Sequence, residues 1–186
     1  MLDYGQAFES AFPYEAFLDK YASDEQRRRW EEFGASITLS SEQTALLNSF
    51  VREMHVLVLA GTWCGDCVNQ CPIFQKFADV NSKIQVRFLD RDDAADVAAE
   101  LTTCGGARVP AVLFLSEDNQ VCGRFGDRTL SKYRAMVQNV GGAACPTGLH
   151  VANDLTSAVV QDWLDEFERI QWMLRTSTRL RQLHND

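Results

Sequence analysis

The sequence predicts an α/β protein: a central mixed β-sheet flanked by helices, with helical additions at both ends. Three observations carry this reading. Strand-like apolar runs stand at 55–61, 84–90, 110–116 and 120–126, with helical patterns between the first three and after the last. Capping-box pairs, Ser23 with Gln26 and Ser40 with Gln43, open helices before the first strand. Beyond a Gly/Ala/Pro segment, apolar residues recur every three or four positions from about 155 to 183.

Taken in order, residues 1–35 form a helical N-terminal extension, including a helix over 24–33 that Gly34 should stop. Residues 36–38 are expected as a short strand, and 41 to about Val51 as a helix with Leu46, Leu47 and Phe50 on one side. "HVLVLAG" (55–61) has the continuous apolar run of a strand buried on both faces. A helix follows, with Cys67, Cys71, Phe74 and Ala78 on one stripe. "IQVRFLD" is the second strand, and "DDAADVAAEL" a helix with Asp92 or Asp93 at its N-terminus. "PAVLFLS" and "QVCGRFG" make a hairpin around "EDN", followed by a helix that Gly141–Gly142 should stop. The order from His55 to Gly142 is therefore β-α-β-α-β-β-α. Residues 143–186 are read as a linker and a C-terminal helix bearing Val159, Trp163, Phe167, Ile170 and Leu174. That helix is expected to pack back on the core. Its roughly heptad spacing leaves open a dimer seam, and a partner-binding helix is a third placement, so the expected state is a monomer or a weak homodimer through this helix.

At 186 residues and 46% hydrophobic content, the chain can build one well-cored domain without disulfide staples. Twenty-six acidic against 18 basic residues give a net charge of −8. That balance argues against nucleic acid or an anionic membrane as the main partner. Arg27, Arg28 and Arg29 are interleaved with Glu25, Glu31 and Glu32 and read as a solvated helix face. The first twenty residues show early acids and neither a basic nor an apolar leader region, so no signal peptide is expected. A cytoplasmic location follows as the expectation, and there clustered cysteines point to catalysis or metal before structural bridges.

The stretch "LAGTWCGDCVNQCPIF" (59–74) holds three of the six cysteines. A thiol reacts as thiolate, so a redox cysteine needs its free pKa of about 8.5 lowered. A buried strand running into a turn at Gly61–Thr62, with a helix starting at the cysteines, puts Cys64 at a helix N-terminus, where an anion is favoured. Cys67 lies one turn on, close enough to close a small disulfide ring. Cys64 can then attack a substrate disulfide and Cys67 release the product. The rival is metal. A closed zinc site needs four ligands, and beyond Cys64 and Cys67 only Cys71 and Cys104 are near in sequence, with no histidine beside them. The pattern C-x-x-C-x-x-x-C-P echoes an iron–sulfur run with one cysteine missing. No metal site and no bound cofactor are expected. Cys71 reads as core filler, with a secondary resolving thiol as its alternative. Cys104 and Cys122 read as structural, Cys145 as an exposed linker thiol, and His55 as a satisfied or surface residue. His150 and His184 lie in tail regions.

"WCGDC" after an apolar strand, Pro72 in the following helix, and "RVPAVLFL" further on resemble the thioredoxin family, and more narrowly a bacterial branch carrying "WCGDC" and a helical N-terminal extension. The resemblance covers about 36–142. It implies a thioredoxin-like fold, Cys64 as nucleophile, Cys67 as resolving thiol, Trp63 as flanking indole, and Gly65 and Asp66 as the residues between the thiols. It further implies a cis peptide bond at Pro110, backbone hydrogen bonding to substrate at Val109, and a groove-lining glycine at Gly126. Two departures matter. Val58 stands where the family usually has a buried Asp that accepts the resolving thiol's proton, and Asp66 stands where it usually has Pro. Asp66 is therefore expected to disfavour the Cys64 thiolate and take over some proton handling, unless it is simply a good first-turn residue.

The implied activity is thiol–disulfide exchange that reduces disulfide-containing proteins, with an upstream thiol reductase restoring the dithiol. The alternatives are a non-catalytic binding module using the Val109–Pro110 groove and a metal or iron–sulfur carrier. A peroxide-reducing role has no support beyond the thiol itself.

Overall fold

A computed structural model describes residues 2–141 and 154–186. A four-stranded sheet runs β2-β1-β3-β4, built from β1 (Met54–Ala60), β2 (Ile84–Asp90), β3 (Ala111–Ser116) and β4 (Val121–Gly126). β1 pairs parallel with β2, Val56 opposite Val86, and antiparallel with β3, Val58 opposite Val112. β3 and β4 form the antiparallel hairpin. Every residue of β1 and of β3 is buried, because helices cover both faces, which explains their unbroken apolar runs. β2 alternates buried and half-buried positions, and β4 lies open at the opposite edge.

The N-terminal extension is three helices, α1 (Tyr4–Ser10), α2 (Tyr14–Tyr21) and α3 (Asp24–Ser36). They bury Phe8, Phe17, Leu18 and Trp30, and Tyr14, Phe17 and Trp30 pack their rings against Phe88 of β2. Between α1 and α2, Phe12 exchanges two backbone hydrogen bonds with Phe88, at 2.9 and 2.7 Å, covering part of the β2 edge. Arg27 pairs with Glu15, Asp19 and Glu31 on a charged outer face, as its spacing suggested.

α3 does not stop at Gly34. It runs to Ser36, and 36–38 form no strand, because Ile37 closes the helix through its N–H to the Gly34 carbonyl. Both capping boxes are present, at Ser23 and Ser40. α4 (Ser41–Asn48) ends before Val51, since the Ser49 and Phe50 N–H groups close its last turn. The helix expected after the cysteines is two, α5 (Gly65–Val68) and α6 (Cys71–Val80). Pro72 has no N–H to continue the ladder and sits in the first turn of α6, where that lack is harmless. α7 (Ala95–Glu100) starts later than expected: Asp90 accepts from the N–H groups of Asp92 and Asp93, making a turn, and Asp93 is held by the Tyr21 hydroxyl at 2.8 Å.

α8 (Leu130–Gly141) precedes the stretch holding Gly142, Cys145 and His150, which lies outside the described residues. The final helix is also two, α9 (Leu155–Thr176) and α10 (Thr178–His184), because Ser177 leaves helical geometry and caps α10. Val159, Trp163, Phe167, Ile170 and Leu174 are all buried within the protomer. Phe167 meets Phe77 and Phe114 edge-on, and Trp163 meets Phe74 and Phe125 in the same way. Each such ring contributes about 1.5–3 kcal/mol by burial. These stripe residues are therefore spent on the core of the protomer. His55 is buried, stacked on Phe8 and hydrogen-bonded to Asn119 and Glu53.

Candidate functional site

The C-terminal end of β1 delivers the chain through Gly61 and Thr62 to Cys64, which caps α5. The Cys64 N–H bonds back to the Gly61 carbonyl at 3.0 Å, and the Cys64 carbonyl accepts from Val68 at 3.0 Å. Cys64 is half-buried, whereas Cys67 and Cys71 are fully buried. The Cys64 thiol points across at the Val109 carbonyl, 3.5 Å away. The Val109–Pro110 bond is cis, as is Gly126–Asp127. Gly126 pairs with Ala111 and has φ +126, and a Cβ there would overlap the Pro110 carbonyl oxygen, so only glycine fits.

Trp63 is 45% exposed, with the Arg91 guanidinium 4.5 Å above its ring. Gly61 makes room beneath: a Cβ there would come within 2.7 Å of the indole. A Cβ at Gly65 would meet nothing within 4 Å, so the surface beside Cys64 is open. The structure thus brings Trp63, Cys64, Gly65, Asp66, Cys67, Val109, Pro110 and Gly126 to one end of the sheet.

The thiols titrate as a coupled pair. The hydrogen bond with Cys67 and burial push the Cys64 thiol well up, opposed by the N–H groups of Cys67 and Asp66 aimed at its sulfur. Cys67 is pushed up by burial and also by its hydrogen bond with Cys71, while Cys64 draws it down. The lowering expected at a helix N-terminus is outweighed, first by the hydrogen bond with Cys67 and then by burial, because a four-residue helix offers little dipole. Val58 is fully buried between Phe88 and Val112 and offers no proton acceptor.

Asp66 is in the first turn of α5, but both its oxygens are engaged: by Arg128 at 2.5 Å and by Lys132 at 2.8 Å. The carboxylate is thus held between two cations at the foot of the dithiol turn. Replacing it, Asp66→Asn, removes one negative charge from the dithiol turn, leaving Lys132 without its carboxylate and Arg128 with Asp127 alone, and the more positive potential favours the thiolate. Cys64 alkylation by iodoacetamide should then run roughly tenfold faster at neutral pH, its pH profile displaced to lower pH. An unmoved profile would show that Asp66 has no electrostatic hold on Cys64.

Sequence reasoning missed Gln70, Asp127, Arg128, Lys132 and Trp30, and read Trp163 only as a core residue. Gln70 is fully buried and donates to the carbonyls of Asp66 and Asp127 at 3.1 and 3.0 Å. Burial alone would raise the Asp127 carboxyl, yet hydrogen bonds from Tyr133, its own N–H and Arg108, together with the charge of Arg128, hold it below the usual range. The signals were faint: one glutamine inside an apolar run, and one tryptophan inside a charged helix. Among the described residues no group of three or more His, Cys, Asp or Glu is arranged to hold a metal ion, and no helix is long and apolar enough to cross a membrane.

A mixed four-stranded sheet that sets a Cys-x-x-Cys turn against a cis-proline defines a thioredoxin-like protein. A sequence model described as thioredoxin matches residues 12–140, so the chain belongs to the thioredoxin family. Its fold is similar to that of a Pseudomonas aeruginosa protein of unknown function, at TM-score 0.72 and 21% identity over 91% of this chain and 99% of that one. An HIV epitope-scaffold is similar at TM-score 0.65 and 19% identity, over 87% of this chain and 98% of the other. Thioredoxin from Fasciola hepatica matches at TM-score 0.36 and 22% identity, over 51% of this chain and 88% of that one. No curated protein matches the sequence.

Proposed function

We propose that the protein is a thiol–disulfide oxidoreductase that reduces disulfides in proteins of the cytoplasm. The observation that supports it most is the half-buried Cys64 sulfur at the cap of α5, 3.5 Å from the Val109 carbonyl, with Cys67 buried one turn on. The Cys64 thiolate attacks one substrate sulfur, forming a mixed disulfide and releasing the other substrate sulfur, which takes up a proton. The Cys67 thiolate then attacks the Cys64 sulfur, expelling the second substrate thiol and closing the Cys64–Cys67 disulfide. The substrate gains two electrons and two protons, and an upstream dithiol reductase returns the dithiol with two electrons of its own. No bound cofactor takes part. An extended substrate segment would lie along Val109 and Pro110 with Gly126 on its far side.

The test is insulin reduction with a dithiol as electron source, together with equilibrium of Cys64–Cys67 against glutathione. Turnover is expected, with a potential near or below the roughly −220 to −320 mV of the cytosol. Because burial and pairing hold the Cys64 thiol above its ordinary value, the rate should keep rising from about pH 7 to 9 without a plateau. Failure to form a Cys64–Cys67 disulfide under an oxidising buffer would end this reading.

A further inference from the structure

Residues 62–70 carry the dithiol, and each end of that stretch is tied to a different terminal extension. At the near end, the Trp30 indole N–H of α3 donates to the Thr62 carbonyl at 3.0 Å. The Thr62 hydroxyl lies 3.1 Å from both the Tyr21 carbonyl and the Gln26 side-chain oxygen, so the same extension holds it a second way. At the far end, the Trp163 indole N–H of α9 donates to the Gln70 side-chain oxygen at 3.1 Å. Gln70 passes that hold on to the Asp66 carbonyl, inside the dithiol turn, and to the Asp127 carbonyl, beside the groove glycine. Trp30, Gln70 and Trp163 are all fully buried.

We propose that Trp30 and Trp163 are positioning residues for the dithiol, their indole N–H groups bracing the redox turn from its two ends. The proposal rests on the reading of Cys64 as nucleophile. α5 is a single turn of four residues, and a helix that short has no stability of its own. It is also cut from α6 at Asn69 and Gln70, so the α6 ladder does not hold it in place. Its orientation is imposed from outside, by contacts that bind its ends. A buried carbonyl whose donor withdraws is expensive, so turn geometries that break either indole bond are disfavoured. The surviving geometry is the one that aims the Asp66 and Cys67 N–H groups at the Cys64 sulfur.

Packing alone does not require this. Trp30 fills space among Tyr14, Phe17 and Phe88, and Trp163 among Phe74 and Phe125, where any large aromatic would serve. What packing leaves unexplained is that both indole nitrogens end on the two termini of the dithiol stretch, one from each extension. The extensions thereby complete the site and do more than stabilise the domain.

Trp30→Phe and Trp163→Phe keep an aromatic ring at each position and delete the donor, along with part of the indole's volume, which is why melting temperature is read beside reactivity. Trp172→Phe is the control, being 47% exposed and bonded to Glu168 on the outer face of α9. Cys64 alkylation by iodoacetamide, mapped by mass spectrometry across pH, is the readout. Each brace variant should react about fivefold more slowly at neutral pH, its profile displaced upward, with the control matching the parent. A drop in melting temperature with an unmoved profile overturns the brace, as does an equal effect from Trp172→Phe. If either variant does not fold, indole N–H exchange in the unmodified protein decides: Trp30 and Trp163 protection should change about tenfold between dithiol and disulfide, and equal protection in both states overturns the proposal. Absence of any Cys64–Cys67 disulfide in the parent protein would overturn the exchange reading and the brace together. A disulfide that forms while the variants stay unmoved overturns the brace alone.

Discussion

Cys64→Ser is expected to abolish disulfide reduction, whereas Cys67→Ser should leave the first step intact and stop the second. The asymmetry follows from burial. Cys64 is half-exposed beside the open surface at Gly65, so a substrate sulfur can approach it; Cys67 has no exposure. Without Cys67 the mixed disulfide on Cys64 has no internal resolver, and turnover should fall by about three orders of magnitude or more, the scale seen when a residue of a cooperating catalytic set is removed. The trapped adduct is read by mass spectrometry as the protein plus one substrate chain, lost on adding dithiothreitol. Cys71 is the internal check. It is fully buried at the start of α6 and hydrogen-bonded to Cys67, so if it were a second resolver the Cys67→Ser protein would still turn over slowly and form no lasting adduct. A durable adduct with Cys71 left as free thiol supports the two-cysteine route. Retained turnover in Cys64→Ser would sink it.

Gly126→Ala should be the most damaging substitution that adds a single methyl group. Gly126 has φ +126, a region that L side chains rarely adopt, and the new Cβ would overlap the Pro110 carbonyl oxygen while lying 3.3 Å from the Ala111 Cα. Both neighbours are backbone, so no rotamer change relieves the clash. Separating β3 from β4 here disturbs the register that sets Pro110 opposite Cys64. Strain plus local separation is expected to lower stability by about 2–4 kcal/mol, a melting-temperature drop of roughly 5–15 °C for a chain of this size. Disulfide reduction should fall with it even at temperatures where the protein stays folded. A melting temperature within about 2 °C of the parent would mean that the groove wall yields at little cost. Gly65→Ala makes the matched comparison, since a Cβ there meets nothing.

Much of the architecture was legible because it rests on short-range rules. The unbroken run of β1, the alternation of β2 and the hairpin of β3 and β4 follow from how side chains alternate across a sheet, and each strand formed where its pattern lay. Ser23 and Ser40 cap their helices because the donors they satisfy lie three residues away. Where helices were mislaid, a competing local bond had won. Asp90 turned the chain before α7, the Gln70 N–H turned to the Cys67 carbonyl between α5 and α6, and Gly34 stayed helical although glycine usually ends a helix.

The dithiol was legible for a different reason: Cys64 and Cys67 lie one turn apart, so sequence spacing is nearly their spatial spacing. Sequence by itself thus determined the order of the strands and helices, the mixed sheet, and the place of the Cys64–Cys67 pair at the end of β1. Tertiary structure alone decided the surroundings that tune the pair. Arg128 and Lys132 reach Asp66 from more than sixty positions away, and Trp163 reaches Gln70 across 93. Local pattern encodes which face of an element is apolar, but not which distant polar group a buried donor must satisfy. That pairing is set only when the chain closes and each buried donor and acceptor must find its partner inside the protein.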